Sequence, residues 1–422
     1  MEVGNDKMLS GAVRRALLSL AVGGFAIGTG EFVVMGLLPQ VASDLSVSIP
    51  RAGELISAYA LGVVVGAPLL TAASVRYRRK PVLLVLMSWF AVGNLLSALA
   101  PSFGLVLLAR FATGLPHGAF FGAGAVVAGS LVDKKRSNSA MAVMFAGLTV
   151  ANIVGVPLTT ILGQHAGWRL VYAVVGVIGL LAVLAVALAI PADAGVASGA
   201  PRSSLRGELR AFAKPEVWLV LGVAMIGGGG LFATFSYIAP MMTNVAHYAD
   251  SSMTWLLALF GLGMTVGNLV GAPLSDRFPS RTLLWSLAAQ IVVSVAFLAA
   301  DHNRFTAAAA IFLFPLCSLA GLPTLQGRII ALAGGAPNLA AASIQAAFNI
   351  ANSIGAYFGG LAIAAGFGYG SPNAVAAALG AIGLALAITA VRVERRRAAV
   401  IAGSRPIASA RREAAQYERI GA

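Results

Sequence analysis

The sequence predicts an all-α membrane protein of twelve transmembrane helices in two six-helix halves. Three observations carry that prediction: apolar runs long enough to cross a bilayer, basic residues gathered on one side, and an internal repeat at an offset of 200 to 207 residues. Of the 422 residues, 59% are hydrophobic and only 10% charged, with a mean hydropathy of +0.87. A soluble domain carries about 25% charged residues. Twelve helices of about twenty residues use roughly 240 residues, which leaves no space for a large soluble domain.

The spans follow in chain order. The first, Ala16 to Val41, comes after Arg14 and Arg15 but is too long for a signal peptide, holds Glu31 and lacks a cleavage context, so it is read as an uncleaved span. Gly53 to Ala73, Pro81 to Ala100, Phe103 to Val127, Ala140 to Leu162 and Trp168 to Ile190 complete the first set. The polar stretch from Pro191 to Pro215, with Ser203, Ser204 and four basic residues, reads as a linker. Val217 to Met242, Ser252 to Leu274, Thr282 to Ala300, Phe305 to Leu325, Ala340 to Phe367 and Pro372 to Val391 form the second set. The expected organisation is therefore an N-terminal half over 1–190, a linker over 191–215, a C-terminal half over 216–391 and a basic tail over 392–422.

The charges test the span count, because cytoplasmic loops hold the excess of Lys and Arg. With the amino terminus inside, 25 of the 29 basic residues fall on that side, and only Arg51, Arg169 and Arg304 on the other; Arg110 lies within a span. A missed span would scramble this split, so both termini are expected to be cytoplasmic and the chain to sit in the inner (plasma) membrane. The formal charge of +14 then reflects orientation rather than nucleic-acid binding.

Three matches link span n to span n+6. GVVVGAPL at Gly62 to Leu69 recurs as GNLVGAPL at Gly267 to Leu274; Gly114-Leu115-Pro116 recurs as Gly321-Leu322-Pro323; Ala151-Asn152 with Gly155 recurs as Ala351-Asn352 with Gly355. The Gly-xxx-Gly spacings at Gly62 and Gly66, and at Gly267 and Gly271, suit close helix contact. A single cysteine, Cys317, together with the lack of Cys/His ligand spacing, of a phosphate-binding glycine loop and of a nucleophile elbow, speaks against a metal site, an ATP-driven pump and an enzyme.

Several motifs resemble those of the major facilitator superfamily, within it the twelve-span drug:proton antiporters. Loop 8/9 reads Asp276-Arg277-Phe278-Pro279-Ser280-Arg281, similar to the family's loop signature, and loop 2/3 keeps Arg76, Arg79 and Lys80 beside Gly66 and Pro68, with Val75 where the family usually has Asp. Arg110 and Gly114 in the fourth span resemble the family's Arg-containing motif. Gly147, Gly155, Pro157 and Gly163 in the fifth resemble the antiporter motif. GTGEFVVMGLLP from Gly28 to Pro39 is similar to a branch of arabinose-efflux-type permeases, chloramphenicol-resistance exporters and purine-nucleoside exporters. The resemblance implies alternating access between two rocking halves, with Asp276 and Arg277 in a cytoplasmic latch.

Glu31 and Arg110 are the charges set deep in spans, about 15 and 12 Å from the outer face, and an intramembrane charge is costly enough to be read as functional. Burial favours the neutral acid of Glu31 and a nearby Arg110 favours the carboxylate, two influences expected to alternate as the cavity opens to either side. His117, seven residues beyond Arg110, shares its face and is expected to relay a proton or bond substrate. Phe120, Phe121, Phe232, Phe235, Tyr237, Asn349 and Asn352 are expected to line an apolar pocket with a few polar fixing points. The expectation is an efflux carrier, monomeric and without a cofactor, that exchanges protons for a small drug-like molecule, chloramphenicol-like first. The alternatives are a sugar or purine-nucleoside exporter, or a uniporter or importer in which Glu31 is structural.

Overall fold

The computed structural model describes residues 11–74, 76–133, 136–195, 214–300, 302–332 and 337–420. Most of the linker, 196–213, lies outside the described residues. Among those described there are helices and no strand. Among the described residues twelve helices are long and apolar enough to cross a membrane: Gly11–Asp44, Ile49–Ser74, Arg79–Leu99, Phe103–Ser130, Ser139–Ala166, Trp168–Ala189, Pro215–Ser236, Asp250–Arg277, Pro279–Ala300, Arg304–Leu332, Ser343–Phe367 and Pro372–Arg396. With an even number of crossings, both ends of the described chain lie on one face, here the terminal face; the other is the far face.

Span boundaries differ from expectation where proline intervenes. The seventh helix stops at Ser236 and resumes over Ile238–Asn244, because Pro240 has no amide to offer the Ser236 carbonyl and its ring crowds it. The tenth breaks at Gly321 and continues over Leu322–Leu332, where Pro323 does the same. The twelfth does not stop at the membrane edge: one helix runs from Pro372 to Ile420. In the fifth span Pro157 leaves Ile153 without its usual donor, and the chain widens into a π-turn over Ala151–Gly155 just before it. A second π-turn, Val223–Gly227, precedes the run of glycines in span seven.

Glycine sets the closest helix contacts. A Cβ at Gly62 would meet the carbonyl oxygen of Phe111, one at Gly66 that of Leu115, and one at Gly114 that of Tyr59. The repeat-related pair behaves alike, Gly267 facing the Leu316 carbonyl and Gly271 that of Ala320. Spans two and four, and spans eight and ten, thus touch backbone to backbone. In span five, Gly147 abuts the Ala21 carbonyl, Gly155 the Thr29 hydroxyl and Phe25 ring, and Gly163 the Leu37 side chain, so this motif packs against span one.

One buried apolar cluster draws on residues from Ala16 to Ala194, and a smaller one on residues from Val217 to Ala387. A third joins Phe32, Val34, Met35, Leu38, Ala52 and Ile56 to Phe232, Phe235, Tyr237, Met241, Leu257 and Phe260, cementing the first six spans to the last six. Outward faces carry exposed apolar side chains such as Leu69, Leu99, Leu188 and Trp285, as contact with lipid chains requires. The first span is the most enclosed, its most apolar window 78% buried.

Candidate functional site

Glu31 and Arg110 lie where the two sets of spans meet. Arg110 is fully buried. Its Nη1 donates to the Gly30 carbonyl at 2.9 Å and its Nη2 to the Glu31 carbonyl at 3.5 Å. Its guanidinium is 4.3 Å from the Tyr59 ring centroid and 5.3 Å from that of Tyr172. Among the described residues no ion pair within 4.0 Å joins the two side chains; the arginine's hydrogen bonds grip span one by its backbone. The carbonyls of a helix retain a second lone pair that a fixed guanidinium fork can use.

The Glu31 carboxylate turns elsewhere. Its Oε2 is 3.9 Å from His117 Nδ1, and its Oε1 accepts a hydrogen bond from Asn352 Nδ2 at 3.3 Å. His117 Nδ1 is 3.2 Å from the Tyr59 hydroxyl, and Nε2 is 3.2 Å from Gln345 Nε2. An amide nitrogen only donates, so with that amide orientation Nε2 accepts and the imidazole proton sits on Nδ1, beside Tyr59 and Glu31. Spans one, two and four therefore meet span eleven in one buried polar network. Asn349, four residues after Gln345, donates to the Gln345 carbonyl at 3.0 Å. Among the described residues the Oδ1 atoms of Asn349 and Asn352 have no hydrogen-bond partner.

The expected pocket residues divide. Phe232 and Phe235 gather around Phe32, at 6.5 and 5.7 Å between centroids, and Phe235 stacks on Phe260 at 4.3 Å. Phe121 lies against His117 at 5.3 Å and stacks on Phe145 at 5.1 Å. Phe120 instead packs into the core of the first six spans, over Gly23. Tyr237 sits near the far face, donating to the Ala356 carbonyl at 2.8 Å and filling a slot left by Gly53 and Gly360. Sequence reasoning missed Tyr59, Tyr172, Phe32 and Gln345. The signal for Gln345 was present, since Gln345, Asn349 and Asn352 make an amide stripe at i, i+4 and i+7 on an apolar helix.

Arg76, Asp276 and Pro68 are exposed; Lys80 donates to the Ala187 carbonyl at 2.7 Å, and Arg79 flanks Gly195. Arg277 and Arg281 lie over the Phe278 ring at 5.2 and 5.8 Å. Side-chain hydrogen bonds between the first six and last six spans include Gln164 to the Asp250 carbonyl, Ser57 to the Ser353 carbonyl, Asn352 to Glu31 and Gln345 to His117.

Twelve apolar spans, glycine-mediated repeat contacts and a buried polar network between the two sets of helices define a polytopic membrane carrier. The family model of the Major Facilitator Superfamily matches residues 20–253 and 232–416, and the chain belongs to that superfamily. It is 39% identical to the inner membrane transport protein YdhP of Escherichia coli K12 over 376 residues, 89% of this chain and 96% of that one. It is 34% identical to a chloramphenicol resistance protein of Streptomyces lividans over 339 residues, 80% of this chain and 86% of that one. The fold matches a crystal structure of a bacterial homologue of the human lysosomal transporter Spinster, inward-facing and occupied, with a TM-score of 0.72 at 18% identity over 92% of this chain and 98% of that one. The protein is a multi-pass membrane transporter.

Proposed function

We propose that this transporter is an exporter that exchanges protons for a small neutral drug-like molecule across the inner membrane, with the terminal face cytoplasmic. The observation that carries the reading is Glu31: a carboxylate 5% exposed, placed between His117 and Asn352 at the junction of the two sets of spans. Glu31 is the proton carrier, His117 its relay through the Nδ1 proton, and Arg110 the clamp that holds the backbone of span one in place. The aromatic group of Phe32, Phe232 and Phe235 offers flat apolar contact, and the amides of Asn349 and Asn352 offer acceptors. The kinship with a chloramphenicol resistance protein supports a chloramphenicol-like substrate first. Sugars and purine nucleosides remain the competing substrates.

The energetics suffice. A membrane potential of about 150 mV gives about 3.4 kcal/mol per proton, enough to hold a gradient of roughly a few hundred-fold. The test is proteoliposomes holding a pH dye, wild type against Glu31→Gln, challenged with chloramphenicol, arabinose and purine nucleosides under an imposed proton gradient. Ligand-driven proton movement that vanishes in the variant supports antiport and names the substrate class. Identical proton traces, with radiolabelled ligand still crossing, make Glu31 structural and the protein a uniporter.

A further inference from the structure

Asn352 is the side chain of the last six spans that hydrogen-bonds Glu31, and it is 1% exposed. Its Nδ2 is committed to Glu31 Oε1, while its Oδ1 has no partner among the described residues. Both ends of the amide differ in character, one a donor and the other an acceptor. An ionised carboxylate only accepts, so it holds the amide in the observed orientation. A carboxylic acid carries an O–H that seeks an acceptor, and the unpartnered Oδ1 comes into its place by a half-turn about the Cβ–Cγ bond. The other groups around Glu31 do not offer this exchange: Arg110 binds the backbone carbonyls of Gly30 and Glu31, and His117 and Tyr59 face the carboxylate or each other from the first six spans.

We propose that Asn352 is the positioning residue through which the last six spans read the proton on Glu31, donating to the ionised carboxylate and turning over to accept from the acid. This rests on the reading of Glu31 as the proton carrier. The bond to the carboxylate is charge-assisted, and such bonds are roughly twice as strong as neutral ones. Protonation therefore loosens the grip of span eleven on span one and reverses the face the amide shows to substrate. With Glu31 ionised, the free Oδ1 atoms of Asn349 and Asn352 favour a substrate bearing hydrogen-bond donors; with Glu31 protonated, Asn352 presents its donor instead, and that substrate is released. Proton and substrate thus compete for one acceptor, the Oδ1 of Asn352, which the amide turns toward one or the other.

The test needs no ligand. In a Cys317→Ser background, spin labels at Tyr77 and Phe278, exposed loop positions on the terminal face of the first and last six spans, report their separation by pulsed electron resonance across pH. Wild type is expected to shift between a separated population at high pH and a closer one at low pH. Glu31→Gln is expected to show no pH response, and Asn352→Leu to lose more than half its amplitude. Asn352→Asp, which preserves shape, is expected to raise the midpoint by about one pH unit or more, because two adjacent carboxylates share a proton. An unchanged midpoint and amplitude in Asn352→Leu beside a flat Glu31→Gln overturns the role of Asn352 and spares that of Glu31, as does an unmoved midpoint in Asn352→Asp. A pH response that survives in Glu31→Gln, or none in wild type, overturns the Glu31 reading and this inference with it.

Discussion

Arg110 owes its place to geometry that lysine does not share. A planar fork reaches two successive carbonyls while its face lies against Tyr59 and Tyr172, whereas an ammonium on a flexible stem meets one acceptor at a time. Arg110→Lys is expected to fold and to lose most transport, because span one is no longer held in register with span four. Arg110→Ala removes the charged donor from buried carbonyls and the packing against two rings, and is expected to cost about 1–3 kcal/mol. Thermal unfolding of the detergent-solubilised protein, read beside uptake in vesicles, checks both. Much at this scale was legible in the sequence. A lone acid and a lone base at matched depths announce a site, but one chain of letters does not show whether the base meets the carboxylate or the backbone behind it. That depends on how spans one and four are rotated about their axes, which the spacing of residues along each span does not fix.

At the level of the helix, the repeated glycines make a sharp prediction. Gly66→Ala places a methyl against the Leu115 carbonyl, a backbone atom that cannot step aside, so spans two and four must part along their length. A marked loss of folded, monodisperse protein is expected, visible by fluorescence-detected size exclusion. Gly122→Ala on span four meets open space within 4 Å and is expected to be neutral or to stabilise by about 0.5–1 kcal/mol, since alanine is the better helix former. The number of spans could be read from apolar runs alone, because a bilayer fixes their length. The interruptions at Tyr237 and Gly321 could not, although Pro240 and Pro323 cause them: a proline inside an apolar run signals a bend, a break or nothing, according to what surrounds it.

In the molecule as a whole, the two sets of spans meet at the far face, where Tyr237 of the last six fills the slot between Gly53 and Gly360. Gly53→Val occupies that slot and is expected to unseat the tyrosine. A cysteine placed at Thr29, buried in span one, then reacts faster with a membrane-impermeant thiol reagent applied from the far side. An increase of at least about tenfold corresponds to a shift of about 1.4 kcal/mol between arrangements. Equal rates in both backgrounds would show that Tyr237 does not seal this face. The meeting of Glu31, His117, Gln345 and Asn352 lay beyond the sequence for a related reason: residues 321 apart in the chain become neighbours through the docking of two bundles, which no local pattern encodes.

The π-turn at Ala151–Gly155 has a genetic side. Such a turn holds one residue more than an α-turn, so a single codon separates this helix from a regular one. Deleting any one of those five residues would let the turn close as an ordinary α-turn, because the wide turn spends its extra residue on nearly the same rotation, and would leave Thr159, Thr160 and Gly163 on the face they share with span one, while the hydropathy of the segment hardly changed. The reading frame of the protein would look intact, and its twelve spans would still insert. An in-frame deletion scan of span five is therefore expected to find its most tolerant stretch at this turn, a feature that comparison of hydropathy profiles passes over.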